Sequence, residues 1–136
     1  MKSENVVKYA SLGFIGLSSL SLLSVSLMAF NNPQSVMDLV SVKLENTDAY
    51  SSIRGIYGGA GMTIVLSLLF LMRKNIDYAL GFLTMLWGFY ALSRTITIFA
   101  EGALGAFGNQ WIIIESLFFV IALSLLLIRN KRQSFV

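Results

Sequence analysis

Four long apolar runs separated by short polar segments organise the sequence. They cover about residues 7–30, 49–72, 78–100 and 110–128. Because roughly 20 apolar residues suffice for a helix to cross the hydrocarbon core of a bilayer, each run predicts one transmembrane helix. Short connections make consecutive helices antiparallel neighbours. We therefore predict an all-α integral membrane protein, a four-helix antiparallel transmembrane bundle formed as a single domain by residues 1–136.

A cleaved signal peptide is the rival interpretation of the first run. Two lysines stand near its start, and residues 24–26 offer small side chains for cleavage. The run is longer than the apolar region of a signal peptide, however, and cleavage there would strand the apolar residues 27–30. We favour an uncleaved first span.

The longest polar connection, residues 31–48, is compatible with two structures. Residues 40–45 alternate apolar and polar side chains, which indicates a short strand or an interfacial turn. Val36, Leu39, Val40 and Lys43 would equally suit one turn of a short amphipathic helix on the membrane surface, and we favour this helix. The candidate N-caps of the second span are Asn46, Thr47 and Asp48.

Composition supports a membrane location and narrows the chemistry. Hydrophobic residues make up 56% of the chain, charged residues only 12%, and the mean hydropathy is +0.74. Soluble domains carry about twice that share of charged residues. The chain contains neither cysteine nor histidine, which excludes disulfides, Cys-X-X-Cys redox chemistry and the most common general base. We expect no enzymatic activity, no cofactor, no metal site and no nucleic-acid partner.

The basic residues indicate the orientation of the spans. Lys43 alone lies on one side of the predicted membrane helices, and seven basic residues lie on the other. The seven are Lys2, Lys8, Arg73, Lys74, Arg129, Lys131 and Arg132. Because lysine and arginine concentrate on the cytoplasmic side of membrane proteins, we expect both termini to be cytoplasmic.

Three charged residues lie well inside the predicted spans, away from the span ends: Arg54, Arg94 and Glu115. Each stands six or seven residues from the predicted outer end of its span, which places it about 9–10 Å deep at the rise of an α-helix. A charge at that depth is costly when it faces lipid. We therefore expect Arg54 and Arg94 to face Glu115 across the bundle. A carboxylate neutralised by arginines is a poor ligand for a divalent metal.

Aromatic and acidic residues extend this charged group into a candidate site. Tyr90 lies four residues before Arg94 and therefore on the same helix face, and Tyr57 stands close to Arg54 in sequence. Glu101 lies about 10 Å further out than Arg94. The candidate ligand or ion-pair site comprises Arg54, Tyr57, Tyr90, Arg94, Glu101 and Glu115. A structural ion-pair network and a binding site both remain open.

The segment SIRGIYGGAG, residues 52–61, surrounds Arg54 with glycines. Gly55 and Gly59 form a GxxxG motif, and Gly58 and Gly61 extend its small surface, so we expect a neighbouring helix to approach closely here. The segment lacks the GxxxxGK[ST] spacing of a phosphate-binding loop.

The runs YSSIRGIYGGAG (residues 50–61), ALSR (91–94) and FAEG (99–102), together with four short spans, resemble the domain-of-unknown-function 4345 family of small bacterial membrane proteins. The resemblance covers nearly the whole chain. It implies a multi-pass protein of the bacterial cytoplasmic membrane, and it assigns no biochemical activity.

Two functional hypotheses follow. In the first, which we favour from sequence, the protein is a structural or accessory membrane subunit. Its Arg/Glu network then serves its own fold, and its lipid-facing surface docks on a larger membrane-protein partner or on further copies of the same chain. In the alternative, it binds or transports a small anionic or amphipathic molecule, such as an anionic lipid, in an outer-leaflet pocket held by Arg54 and Arg94.

Overall fold

The computed structural model describes residues 2–133, and side chains within residues 4–131. The helices are α1 (Lys2–Asn31), α2 (Pro33–Asp38), α3 (Thr47–Ile53), a π-helix (Arg54–Ala60), α4 (Gly61–Lys74), α5 (Ile76–Ala100) and α6 (Ala106–Gln133). No strand occurs among the described residues, and the prediction of an all-α fold is confirmed.

Four helical segments are long and apolar enough to cross a membrane. They are Glu4–Asn31, Thr47–Lys74, Ile76–Ala100 and Ala106–Lys131. The second segment joins α3, the π-helix and α4 without a break. The prediction of four membrane-spanning helices is therefore confirmed at the level of length and composition, and the observed helices extend the predicted runs by a few residues.

Asparagine side chains cap three of the helices at their N-termini. The Oδ1 atom of Asn46 accepts a hydrogen bond from the backbone N–H of Ala49 at 2.8 Å, and Asn75 caps α5 through the N–H of Asp77 at the same distance. Asn32 caps α2, whose first residue is Pro33. Such caps satisfy backbone donors that a helix leaves unpaired, and each contributes about 1 kcal/mol. The breaks between helices are thus encoded locally.

The connection between α1 and α3 is organised by Gln34 rather than by a longer helix. Its Nε2 atom donates to the carbonyl of Val42 at 2.9 Å, and its Oε1 atom accepts from the backbone N–H of Leu44 at 2.9 Å. A turn with Ser41 at a positive φ of 57° reverses the chain before this contact. The favoured interfacial helix reaching Lys43 is therefore wrong beyond Asp38, because the amide of Gln34 satisfies the backbone of the alternating stretch.

The chain forms two compact units. The first, called the α3 unit here, comprises residues 16–70; the second, called the α5–α6 unit, combines the start of α1 with the chain from residue 71 onward.

In the α3 unit, the last turns of α1 lie against the connection and the second span. Its buried core consists of Ala29, Val36, Met37 and Leu44, with Val25, Ala49, Tyr50 and Ile53 packed against it. Close approach is greatest at two glycines. A Cβ atom on Gly58 would lie 2.9 Å from the ring of Phe30, and one on Gly61 would lie 2.3 Å from the hydroxyl of Ser26. The helices therefore meet where side chains are absent.

In the α5–α6 unit, α5 and α6 form an antiparallel hairpin, because one ion pair joins the start of α5 to the end of α6 and another joins the end of α5 to the first half of α6. Trp87 packs edge-to-face against Phe118 with ring centroids 5.1 Å apart, and Gly88 lies against the ring of Phe119. Phe14, from the start of α1, contacts Phe118 with centroids 5.3 Å apart. Aromatic packing of this kind adds to the burial of apolar surface.

Candidate functional site

Arg94 and Glu115 form a two-point ion pair in the α5–α6 hairpin. The Nε atom of Arg94 donates to Oε2 of Glu115 at 2.6 Å, and Nη2 donates to Oε1 at 2.9 Å. The side chain of Glu115 is 3% exposed and that of Arg94 is 24% exposed. A bidentate arginine–carboxylate contact is among the strongest polar interactions in proteins. Both charges are thus neutralised within the hairpin.

Phe107 completes the surroundings of this pair. The guanidinium carbon of Arg94 lies 5.8 Å from the ring centroid of Phe107, within range of a cation–π interaction. The Phe107 ring is in turn 5.9 Å from that of Trp111. Phe107 was not predicted as a site residue. The signal was present in the sequence, because Phe107 and Trp111 share one helix face with Glu115 through four-residue steps, and Glu115 was recognised.

A second ion pair, between Asp77 and Arg129, lies at the opposite end of the hairpin. Asp77 stands in the first turn of α5, and Arg129 stands near the C-terminal end of α6. An acid near a helix N-terminus and a base near a helix C-terminus both interact favourably with the helix dipoles. From the sequence, Arg129 was used only to predict the orientation of the spans, and Asp77 was not identified as an ion-pair residue. Recognising the pair required the antiparallel register of α5 and α6.

Arg54 has a different environment, in the α3 unit. It is exposed, and its Nε atom donates to the backbone carbonyl of Phe30 at 3.1 Å. In an uninterrupted α-helix, the carbonyl of Phe30 would accept a hydrogen bond from the N–H of residue 34. Because Pro33 interrupts the helix, the N–H of Gln34 bonds to the side chain of Asn32. The carbonyl of Phe30 can then accept from Arg54. Arg54 therefore caps the C-terminal end of α1, where a positive charge is favourable.

No described carboxylate within the α3 unit forms an ion pair with Arg54. The contrast with Arg94 is direct, because that guanidinium is bound at two points by an acid. The two guanidinium Nη groups of Arg54 are left for water or a ligand.

An open cleft of about 350 Å³ lies beside Arg54. Its lining residues are Phe30, Thr47, Tyr50, Ser51, Arg54 and Gly55. Thr47, Tyr50, Ser51 and Arg54 follow three- and four-residue steps along one helix face. Their position at the start of the second span combines hydroxyl groups, a cation and the ring of Phe30 in one concave surface. Neither Thr47 nor Ser51 was predicted as a site residue, since their significance depends on the cleft.

The other predicted site residues occupy separate positions. Tyr57 is half-exposed on the π-helix. Tyr90 is equally exposed, and its ring packs edge-on against Trp87 with centroids 5.8 Å apart. Glu101 is exposed and ends α5, its N–H bonding to the carbonyl of Thr97. The structure thus joins Arg94 with Glu115, and the predicted approach of Arg54 to Glu115 stays a prediction.

The glycine-rich segment forms a π-helix instead of the expected α-helical GxxxG face. A methyl group added at Gly55 or Gly59, the two glycines of the motif, would meet no atom of a neighbouring element within 4 Å, whereas Gly58 and Gly61 lie against Phe30 and Ser26. The assignment of close packing to Gly55 and Gly59 is therefore wrong. Bonds from residue i to i+5 change which positions share a face, so four-residue spacing fails here.

Comparison with known proteins gives one family match. No curated protein and no solved structure matches the chain. The family described as "Domain of unknown function (DUF4345)" matches residues 11–126, which include most of all four membrane-capable helices. Those helices indicate a multi-pass membrane protein. The chain belongs to the DUF4345 family, as the resemblance in its sequence suggested.

Proposed function

We propose that this membrane protein binds a small anionic or amphipathic molecule in the cleft beside Arg54. One observation carries the proposal: a guanidinium without an acidic partner in its unit lines a cleft together with hydroxyl-bearing and aromatic residues. Binding sites for small molecules typically combine an apolar lining with a few polar groups that fix orientation. The cleft has this composition.

The depth of Arg54 supports an anionic ligand. Arg54 is the eighth residue of the segment Thr47–Lys74, so it lies about 10 Å from the start of that helix. A lipid-facing arginine at such depth is unfavourable, and arginines inside membrane segments normally pair with another group. The single hydrogen bond to the Phe30 carbonyl satisfies one donor and gives the positive charge no acidic partner within the α3 unit. An anion in the cleft would compensate it.

The accessory-subunit hypothesis describes the other unit better than it describes Arg54. In the α5–α6 unit, the Arg94–Glu115 pair serves the hairpin itself, as a structural network would. The large apolar residues Met85, Phe89, Leu92, Ile96 and Phe99 form an exposed stripe along α5. An exposed apolar stripe on a membrane helix can face lipid. It is therefore no evidence for a membrane-protein partner or a homo-oligomer.

Thermal unfolding of the purified protein in neutral detergent tests the proposal. Decyl phosphate and decanoate should each be compared with uncharged decanol. A ligand at about 100 times its dissociation constant stabilises the native state by about 2.7 kcal/mol, which raises the Tm by several degrees. We expect this shift for at least one anion and none for decanol.

Two variants identify the site. Arg54→Gln should abolish the stabilisation by the anion. Lys43→Gln is the matched control, because Lys43 is an exposed cation of the same unit that does not line the cleft. It should retain the shift. If no anion stabilises the unmutated protein, or if both variants respond alike, the proposal is wrong.

A further inference from the structure

Resting on this proposed function, we propose that the cleft binds the phosphate ester of a membrane lipid, with the acyl chains left in the bilayer. Three features of the described residues favour a lipid phosphate over a carboxylate or a soluble anion. They are the hydroxyls beside Arg54, the size of the cleft and its depth.

The guanidinium of Arg54 cannot repeat the contact that Arg94 makes with a carboxylate. Arg94 binds Glu115 side-on through Nε and Nη2. At Arg54 the Nε donor is occupied by the carbonyl of Phe30, so the side-on geometry is blocked. Only the end-on pair of Nη groups remains for an oxyanion. Both phosphate and carboxylate fit this pair, so the neighbouring donors determine the preference.

Those neighbouring donors are hydroxyl groups. Thr47, Tyr50 and Ser51 line the cleft with Arg54, and none of them uses its side-chain hydroxyl in a hydrogen bond to another described residue. A phosphate ester presents oxygens in several directions, whereas the two oxygens of a carboxylate lie in one plane with its carbon. A guanidinium with hydroxyls one and two helical turns away along the same face therefore suits the tetrahedral anion better.

The volume of the cleft suits a headgroup rather than a whole lipid. About 350 Å³ is near the lower end of the range for small-molecule sites. The phosphate and the adjoining glycerol would occupy it, and the acyl chains would extend from its open side into the surrounding bilayer. The ring of Phe30 offers apolar contact next to the charged group.

The depth of the cleft matches the level of lipid phosphates. The 28 residues of Thr47–Lys74 form a helix about 42 Å long, close to the 40–45 Å thickness of a bilayer including headgroups. With about 30 Å of hydrocarbon at the centre, the apolar region begins about 6 Å from each helix end. Arg54, about 10 Å from the start of the helix, therefore lies about 4 Å inside the apolar region, within reach of the phosphate of a lipid whose headgroup enters the cleft.

Native mass spectrometry of the full chain released from neutral detergent tests the inference. The probes are dioleoyl phosphatidic acid, oleate, glycerol 3-phosphate and dioleoylglycerol, each titrated against the unmutated protein. We expect saturable binding of phosphatidic acid at least tenfold tighter than binding of oleate or glycerol 3-phosphate, and none of dioleoylglycerol.

Variants separate charge from hydroxyl recognition. Arg54→Gln should weaken binding of phosphatidic acid at least tenfold, and Lys43→Gln should leave it unchanged. The double variant Tyr50→Phe with Ser51→Ala preserves the ring and the helix while removing two hydroxyls. It should weaken phosphatidic acid severalfold and leave oleate unaffected. Because this double variant keeps Arg54, it tests the site even if Arg54→Gln fails to fold.

The outcomes distinguish this inference from the proposed function. If oleate binds as tightly as phosphatidic acid and requires Arg54, the anion-binding function stands and the phosphate inference falls. If glycerol 3-phosphate binds as tightly, the ligand is a soluble phosphate ester and the lipid inference falls. If no anion shows binding that depends on Arg54, both proposals fall.

Discussion

Arg94 and Glu115 bind each other through two hydrogen bonds between α5 and α6, and the acid is almost completely buried. These hydrogen bonds replace the bonds to water that both charged groups would lose inside a membrane. They also make each partner dependent on the other, because removal of one leaves an uncompensated buried charge. The pair therefore behaves as one unit within the hairpin.

A double-mutant cycle measures this dependence. Glu115→Gln alone should lower the free energy of unfolding by about 3 kcal/mol, since Arg94 then lacks its carboxylate. The double variant with Arg94→Gln should cost clearly less than the sum of the two single variants. Reversible unfolding in mixed micelles gives the four free energies. Strict additivity would show that the two charges are solvated separately.

The second ion pair of the hairpin should contribute less. Asp77 and Arg129 lie about 25 Å from the Arg94 pair along α5, and the acid of this pair is 10% exposed, whereas Glu115 is 3% exposed. We expect Asp77→Asn to destabilise the hairpin by about 1–2 kcal/mol through loss of the pair and of the favourable helix-dipole interaction.

The control for that substitution is Arg73→Gln, which removes an exposed charge at the same end of the unit. It should change the free energy of unfolding by less than about 0.5 kcal/mol. Equal effects of the two substitutions in the same unfolding assay would mean that the Asp77–Arg129 pair does not specifically stabilise the hairpin.

The four glycines around the π-helix provide a third prediction. Gly61→Ala should be the most destabilising change, because its methyl group would collide with the fully buried Ser26. Gly58→Ala should cost less, since the ring of Phe30 is partly exposed and can move. Gly55→Ala and Gly59→Ala should be neutral or stabilising by up to about 1 kcal/mol, because alanine restricts the unfolded chain and meets open space.

Compensation would identify the mechanism. Ser26→Ala removes the hydroxyl that lies 2.3 Å from the added methyl, so it should restore part of the stability lost in Gly61→Ala. Thermal unfolding of the single and double variants is sufficient. A ranking in which Gly55→Ala and Gly59→Ala are the damaging changes would instead support the α-helical GxxxG face.

The parts of this structure that follow from local sequence were predictable. Apolar runs of membrane length indicate the four helices, and Asn46 was recognised as a candidate cap before the second span. The contact of Arg94 with Glu115 followed from their equal depth on consecutive antiparallel helices. In each case the relevant residues are close in sequence, or are related by a short connection that sets the register.

The features that the sequence did not predict depend on specific hydrogen bonds. The periodicity of apolar residues does not reveal which backbone groups make these bonds. Gln34 satisfies backbone groups eight and ten residues away, which prevents a longer helix. The π-helix alters the spacing of the glycines, and the availability of the Phe30 carbonyl depends on the break at Pro33. Arg54 therefore acquires a backbone partner on α1 and a cleft, neither of which a depth argument predicts.

The last prediction concerns orientation, for which the seven-to-one distribution of basic residues is the motive. The chain lacks cysteine, so single cysteines report position without interference. Glu45 and Ala103 are exposed in the connections predicted to face outside, and Asn130 is exposed near the end of α6. In intact cells, a membrane-impermeant thiol reagent should label Glu45→Cys and Ala103→Cys and should spare Asn130→Cys. All three should react after permeabilisation, which controls for accessibility. Labelling of Asn130→Cys in intact cells, with protection of the other two, would show that the orientation is opposite to the predicted one. The Arg54 cleft would then lie at the cytoplasmic leaflet.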